Sequence, residues 1–575
     1  MTRRPVRIGN CSGFYGDRID AAREMTETGD VDVLCGDYLA ELTMLILAKA
    51  QAKDPSLGYA KTFLTQVEEV LAPCVERGIK IVSNAGGLNP AGLAAAIREV
   101  ATRLGVDAKV AHVQGDDLRG DLDRIAPAVS GEPVSANAYL GGWGITEALA
   151  AGADVVVTGR VTDAALVTGP AAWWHGWARD DVDALAGAVA AGHVIECGPQ
   201  ATGGNYPFLD EITDRRYPGF PIAEVAADGS SVITKPDGTG GLVSVGTVTA
   251  QLLYEIGPPA YLGPDVTTHF DTIRLAPDGE HRVAISGVRG SAPPDTLKVA
   301  LNDVGGHRNT MTLVLTGLDV EAKAAHAEAL LFDVLGGRDR FAGVDVRLLR
   351  FDHPDAGGNA EATAHLRITV KDPDPKKVGR AFSNATMQLA LGGYAGFHTT
   401  TPPTDSSAFG VYRPAAVSRD AVTHTVVLPD GTRRGIPDPP TGPQPEKPQV
   451  DGVVRGGAQS KGPTQRVPLG TICGARSGDK GGDANIGVWA RDDAGAAWLA
   501  SFLTPERVRA LLGPEAADLD VEVFGLPNLR AVNVVVHGLL GDGVASSVRP
   551  DPQAKGLGEY LRSRLVDVPE ALLGR

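Results

Sequence analysis

No secretory leader is expected. Met1-Thr-Arg-Arg-Pro-Val-Arg-Ile-Gly-Asn10 is basic and has no apolar h-region. No apolar run approaches the ~18 residues that a membrane span needs. Positive charge is in deficit: 54 Lys and Arg stand against 70 Asp and Glu, a net charge of −16. That balance argues against a general nucleic-acid binder and against an anionic membrane surface. It leaves room for a small acidic ligand in a local basic pocket. Cysteine is scarce and scattered, at Cys11, Cys35, Cys74, Cys197 and Cys473, with no pair at zinc-finger or redox spacing. A reduced, cytoplasmic protein with free thiols is expected. Cys11 and Cys35 end apolar runs, so either is a nucleophile or, by the commoner pattern, a buried small hydrophobe. No metalloprotease, Walker, nucleophile-elbow or kinase motif is present.

The 575 residues, 43% hydrophobic and with 72 glycines, exceed a single core and predict several domains. Ala153-Asp-Val-Val-Val-Thr-Gly-Arg-Val-Thr-Asp163 organises the first of them. Its apolar run Val155 to Val157 reads as a buried strand. The break at Thr158-Gly159-Arg160 follows, and Thr162 or Asp163 is placed to cap a short Ala-rich helix. Four earlier strands have the same form: Val6 to Asn10, Val31 to Cys35, Ile79 to Ser83 and Lys109 to Gln114. Helices separate them, including one with Asn89 as cap and Pro90 in the first turn. The expectation is an α/β fold, an N-terminal doubly wound and mostly parallel open sheet over residues 1–210.

Each of these strands ends in Gly with Asn, Asp or Arg, where open α/β sheets place ligands. Arg160 and Asp163 are therefore either a structural ion pair or site residues. Asn84, Gly86 and Gly87 end the third strand and Asp37 the second. Ser12, Gly13 and Gly16 form a glycine turn that matches a phosphate loop only weakly. Asp116-Asp117 fits a divalent cation or, more often, a cap or solvated turn. His112 reads as a core histidine.

Residues 211–435 are expected to be β-rich and then α+β. Leu242 to Val248 looks like a strand. Tyr254 to Asp265 looks like a turn-rich arm, and Val320 to Leu335 like a helix in a βαββα-like unit. The stretch from His193 to Tyr206 reads as a glycine loop whose Thr202, Gly203, Gly204 and Asn205 either present N–H groups to an anion or cross the surface. A Pro/Gly linker is expected over 436–465, and a C-terminal α+β domain over 466–575. There Gly474 to Asn485 reads as a long loop carrying Arg476 and Lys480, either a site for a small anion or a flexible loop. The Trp173 to Trp177 cluster and the arm are apolar enough for contact surfaces, so a homo-oligomer is expected.

Several of these stretches together resemble the acyclic terpene utilisation AtuA family. They are Ile8-Gly-Asn-Cys-Ser-Gly-Phe-Tyr-Gly-Asp-Arg18, Gly36-Asp-Tyr-Leu-Ala-Glu41, Asn84-Ala-Gly-Gly-Leu-Asn-Pro90, Val157-Thr-Gly-Arg-Val-Thr-Asp163 and Gly203-Gly-Asn-Tyr206. The likeness covers about Val6 to Pro440. Ala475-Arg-Ser-Gly-Asp-Lys-Gly-Gly482 resembles the ferredoxin-fold domain appended to many members. The resemblance implies bacterial breakdown of citronellol- and geraniol-type terpenoids through CoA thioesters. It implies a small-molecule substrate, with the CoA thioester as substrate moiety rather than cofactor. A lyase or hydratase on a branched acyl-CoA is the resulting expectation; the alternative is a non-catalytic acyl-CoA-binding or scaffolding subunit. In the enzyme reading Asp163 is the acid/base, Arg160 holds a substrate carboxylate, and Asn84 with the Gly86 and Gly87 N–H groups receives the oxyanion.

Overall fold

A computed structural model describes residues 3–124, 133–443 and 462–574. Most of the expected linker lies outside the described residues. The first parallel elements are β1 (Val6–Asn10), α1 (Ala21–Thr28), β2 (Val33–Gly36), α2 (Glu41–Lys53) and α3 (Lys61–Arg77). They continue with β3 (Lys80–Ser83), α4 (Pro90–Leu104), β4 (Val110–Gln114), β5 (Ser135–Ala138), α5 (Trp143–Ala150) and β6 (Val155–Thr158). Then come α6 (Ala165–His175) and α7 (Val182–Ile195). Strands β1, β2, β3, β6 and β4 pair in parallel in that order. β5 stands apart and pairs with residues 299–302 of the long strand Thr296–Thr316. Antiparallel strands extend the parallel core on both sides, through Ile222–Val225 beside β1 and Thr425–Val427 beside β4.

Alternation along the strands explains why helices cover both faces. Leu34, Ile81, Val155 and Val157 enter one core with Met25, Phe63 and Ile97 from α1, α3 and α4. Val33, Val82 and Val156 enter the other with Ile145, Leu166 and Leu185 from α5, α6 and α7. The chain steps β1, β2, β3, lays β4 one position beyond, then returns to insert β6. A right-handed crossover in the reverse direction puts its helix on the opposite face. The turns after the neighbours β3 and β6 thus diverge to opposite faces, and a crevice opens between them. The two strand ends touch closely: a Cβ on Gly86 would stand 2.4 Å from the Thr158 carbonyl oxygen.

Asn89 caps α4 as expected, accepting from the Gly92 N–H at 2.9 Å. Three local expectations are corrected. α6 begins at Ala165 after Ala164, with no side-chain cap from Thr162 or Asp163, because Asp163 is taken up by Arg160. It also runs through Pro170. α7 continues to Ile195, so His193 and Glu196 belong to a helix and its end rather than to a loop. Residues Val245–Leu252 are a helix, α8, where a strand is expected. Ser244 and Thr247 form a reciprocal cap there, and a short buried apolar run does not distinguish helix from strand.

The described residues divide into two compact units. The first holds residues 1–302, 412–544 and 551–575. The second holds 303–411 and 545–550. In the second, strands Gly343–Arg350 and Thr363–Asp372 pair antiparallel with each other and with the end of Thr296–Thr316. Helices Val320–Leu335 and Arg380–Gly392 close an apolar core around Met311, Leu331, Ile368 and Phe382.

In the first unit, the C-terminal sheet follows the order Cys473–Lys480, Asp483–Ala490, Ala531–Val536, Val521–Leu526, all antiparallel. The expected loop from Gly474 to Asn485 is therefore a hairpin that turns at Gly481 (φ +66°) and Gly482. Its glycines serve close packing. Cβ atoms on Gly474, Gly478 and Gly487 would approach Trp489, Tyr254 and Leu253 to 2.3, 2.6 and 2.3 Å. Gly478→Val is expected to lower stability by about 1–3 kcal/mol, the usual cost of overpacking. A fall in the urea midpoint with unchanged far-ultraviolet circular dichroism checks this; an unchanged midpoint would show that Tyr254 yields without cost.

Asp116, at the end of β4, is almost fully buried. Its carboxylate accepts from the Arg160 N–H (2.7 Å) and the Asn137 amide (2.8 Å). Burial outweighs these donors and pushes its pKa from 3.8 up to about 7. The fold thus favours the protonated form. The stability this brings is complete below the unfolded pKa and is lost as pH rises through the folded one. Relative to Asp116→Asn, the native chain should lose on the order of 4 kcal/mol between about pH 4 and 8. Denaturant titrations of both proteins across that range test it; parallel curves would refute the shift.

Candidate active site

The carboxyl ends of the parallel strands are tied to one another by side chains. Asn84, after β3, accepts from the Tyr38 N–H at 2.8 Å and donates to the Asp37 carboxylate at 2.6 Å. The Asp37 N–H donates to the Ser12 carbonyl at 2.9 Å. Arg160, after β6, is buried. Its guanidinium donates to the Leu39 carbonyl and to Asp163, both at 2.9 Å, and lies 4.2 Å from the Tyr139 ring centre. Asn84, Asp37, Arg160 and Asp163 thus form one connected group around the β3/β6 crevice.

Further charged groups gather there. His193 and Glu196 stand one helical turn apart, with His193 Nδ1 3.3 Å from Glu196 Oε1. Burial lowers the His193 pKa to about 4 and raises that of Glu196 well above its ordinary range. Both shifts favour a neutral pair over an ion pair. Asp37 and Asp163 are also raised by burial, Asp37 with Asp163 as a like-charge neighbour. Arg160 pulls the Asp163 pKa down, and desolvation outweighs that pull. Glu41, at the start of α2, behaves oppositely. Burial works to raise it, but Lys298, Arg160 and Lys480 hold it below its ordinary value.

The C-terminal domain forms the facing wall. Asn485 accepts from the Glu255 N–H (2.7 Å) and Asn533 donates to the Gly257 carbonyl (2.7 Å), gripping the arm that follows α8. Lys555 bridges Glu255 (3.0 Å) and Asp479 (3.6 Å) and lies 4.5 Å from the Tyr254 ring centre. Arg476 stacks on the same ring at 4.6 Å and donates to Gln200. Lys480, the last residue before the hairpin turn, donates to the Glu255 carbonyl at 2.8 Å and lies 5.2 Å from the Tyr261 ring centre.

Lys298 and Lys480 both keep substantial accessible surface, yet desolvation acts strongly on each ammonium. Asp163 keeps 29% side-chain exposure and is desolvated too. Accessible surface and desolvation coexist where the surface is recessed among surrounding protein. These side chains therefore line a recess at the strand ends.

Of the residues singled out from sequence, the structure brings together Asn84, Asp37, Arg160 and Asp163, with Arg476 and Lys480 on the facing wall. The others serve local geometry. Gly13 N–H donates to Asp17 and the Ser12 hydroxyl to the Phe14 carbonyl; Gly16 packs on the Phe14 ring. The Gly87 N–H donates to the Asn84 carbonyl, and Gly86 sits at the β3/β6 contact. The Thr202 hydroxyl donates to the Gly219 carbonyl at 2.6 Å, and Gly204 N–H to that of Pro199. Gly203 takes the left-handed turn (φ +103°), while Asn205 is exposed (φ +56°).

Sequence reasoning missed Glu41, His193, Glu196, Glu255 and Lys298. The His-x-x-Glu spacing at 193 and 196 becomes visible once that stretch is read as a helix. Lys298, inside a strand, carries no such signal. The thiols of Cys11 and Cys35 are buried, and desolvation raises both pKa values, which removes thiolate character. His112 is buried with a lowered pKa, and Asp117 pairs with Arg119 at 2.6 Å.

A mixed α/β sheet with an enclosed, ionisable cleft at its strand ends, closed by an appended α+β domain, defines the architectural class. Residues 6–428 match the acyclic terpene utilisation family protein AtuA, and residues 467–567 match the AtuA ferredoxin-like domain. The chain belongs to the AtuA family, which connects it to acyclic terpene utilisation. No curated protein matches it. Among the described residues no helix is long and apolar enough to cross a membrane.

Proposed function

We propose that the protein is a catabolic enzyme of acyclic terpene breakdown, a lyase or hydratase acting on a branched acyl-CoA intermediate. The observation that carries this reading is the gathering of raised-pKa carboxyls, Asp163, Asp37 and Glu196, with the cations Arg160 and Lys298 and the amine of Lys480 at one set of strand ends. Hydration and carbon–carbon cleavage of a hydroxyacyl thioester both move a proton and both develop charge on the thioester oxygen. Asp163, desolvated but facing the cleft, is the acid/base. Arg160 already holds Asp163, so its role is to orient that carboxylate; Lys298 receives substrate charge in its place. Asn84, proposed from its strand position as the oxyanion donor, is fully buried and bonded to Asp37, so in this scheme it positions Asp37 instead.

The working form is proposed to be a cytoplasmic homo-oligomer. Tyr254 and Ile256 are buried within the chain, so the start of the arm does not supply its surface, whereas Leu262 further along is exposed. Light scattering at micromolar concentration that finds a monomer alone would remove this part. The catalytic reading is tested by incubating the purified protein with a panel of saturated, unsaturated and 3-hydroxy branched acyl-CoAs and following products by mass spectrometry. Gain or loss of water, or cleavage to a shorter acyl-CoA, is expected. Tight binding without turnover would leave an acyl-CoA-binding subunit instead.

A further inference from the structure

We propose that the Lys480 amine is a nucleophile that forms an iminium with an aldehyde or ketone group presented in the cleft. The inference goes beyond proton transfer by Asp163 and concerns a different bond.

Its basis is the placement of one side chain. Lys480 stands at the tip of the Cys473–Lys480/Asp483–Ala490 hairpin, next to the tight turn at Gly481. From there it reaches the cleft wall beside Tyr261. Its Nζ donates one hydrogen to the Glu255 carbonyl at 2.8 Å. That bond orients the nitrogen and is compatible with a free lone pair. Among the described residues no carboxylate lies within 4.0 Å of Nζ, whereas Lys555 on the same wall is held by Glu255 and Asp479. The charged and titratable groups that act on Lys480 are Lys298, Glu255, Glu196 and Glu41, with His193 also in range.

The two cleft lysines are set apart by these surroundings. Desolvation and then the neighbouring Lys298 ammonium lower the Lys480 pKa. Burial also opposes the charge of Lys298, but Tyr139, Tyr412 and Glu41 hold it on, so Lys298 stays an ammonium. A desolvated lysine beside a second, persistent cation is the arrangement that frees an amine for attack on carbonyl carbon. Glu196, kept protonated by burial, supplies the acid the reaction needs.

The step balances without any redox partner. The Nζ lone pair forms a bond to the carbonyl carbon while the C=O π pair moves to oxygen. A proton passes from nitrogen to that oxygen and gives a carbinolamine. Glu196 then protonates the hydroxyl, which leaves as water as the nitrogen lone pair forms C=N. Amine, carbonyl compound and one proton give iminium and water. The iminium draws electrons from the adjacent carbon, which eases loss of a proton or breaking of a carbon–carbon bond there.

The test is reductive trapping on the full-length protein. Acetoacetate, acetone and isovaleraldehyde are each added with sodium cyanoborohydride at neutral pH, followed by peptide mass mapping. The expected result is a gain equal to the carbonyl compound less one oxygen, on Lys480. Its rate should exceed that at the surface lysines, because desolvation and the neighbouring Lys298 lower its pKa. Lys480→Arg, which keeps the charge, should lose the adduct, and Lys298→Met should slow it. No adduct with any of the three probes on a folded protein overturns the proposal. So does labelling spread over surface lysines and equal in Lys480→Arg. Acyl-CoA turnover without an adduct would sink the iminium alone, and an adduct without acyl-CoA turnover would sink the acyl-CoA reading alone.

Discussion

Asp163→Asn is expected to lower turnover by about 10²–10⁴-fold, the contribution of a positioned acid or base, with the fold retained. The asparagine keeps the side-chain oxygen that accepts from Arg160 at 2.9 Å, so the buried guanidinium does not lose its partner. What it loses is the titrating proton. In the native chain that proton is held above the ordinary carboxylate range by burial, against the pull of Arg160. The measurement is turnover of whichever acyl-CoA the wild type converts, under single-turnover conditions, with circular dichroism as the control for folding. Loss of rate with substrate affinity preserved is the expected pattern. Full activity in a folded variant would reduce Asp163 to an anchor for Arg160 and move the acid/base role elsewhere in the cleft, with Glu196 the next to test.

Arg160→Met is expected to act on stability, at about 3–5 kcal/mol, as when one partner of a buried ion pair is removed. The guanidinium joins the Leu39 carbonyl to Asp163 and stacks on Tyr139. It also offsets the negative charge of Asp37 and Glu41. Methionine has no donor for any of them. Its chain fills part of the volume, so the loss comes chiefly from uncompensated polar groups rather than from a cavity. Chemical denaturation gives the number. A loss under about 1 kcal/mol would put this exchange in the range of exposed ion pairs and would mean that water replaces the guanidinium. The double variant with Asp163→Asn should then be no worse than the single one, because the two residues share one interaction.

The parallel half of the fold was legible because its strands are short apolar runs ended by Gly with a polar residue, a pattern set by backbone needs at the strand end. The same pattern located Asp37, Asn84, Arg160 and Asp163, since strand position alone decides which crevice they face. The facing wall was not legible in that way. Gly474 and Gly478 look like loop glycines, yet Gly474 leaves room for the ring of its cross-strand neighbour Trp489, and Gly478 with Gly487 lets the sheet press against Tyr254 and Leu253. Composition does not separate glycine needed for a turn from glycine needed for contact. Lys298 and Glu255 become site residues only through tertiary pairing, in a strand and an arm with no local signature. His193 and Glu196 were hidden by an element boundary, because the end of α7 was read as part of the glycine loop that follows.

The grip of Asn485 and Asn533 on the arm at Glu255 and Gly257 also bears on the order of events during synthesis. A chain leaves the ribosome from its N-terminus, and domains form as they emerge. The parallel sheet and its Asp37–Asn84 tie can then assemble well before residues 476–555 exist. In that interval Tyr254 and Ile256 have no covering sheet, and the cleft lacks Lys480 and Lys555. The nascent protein thus passes through a stage that is folded at its centre, inert, and apolar on one side. A fragment halted before residue 476 is expected to remain at that stage and self-associate through this face, which the full-length chain keeps covered.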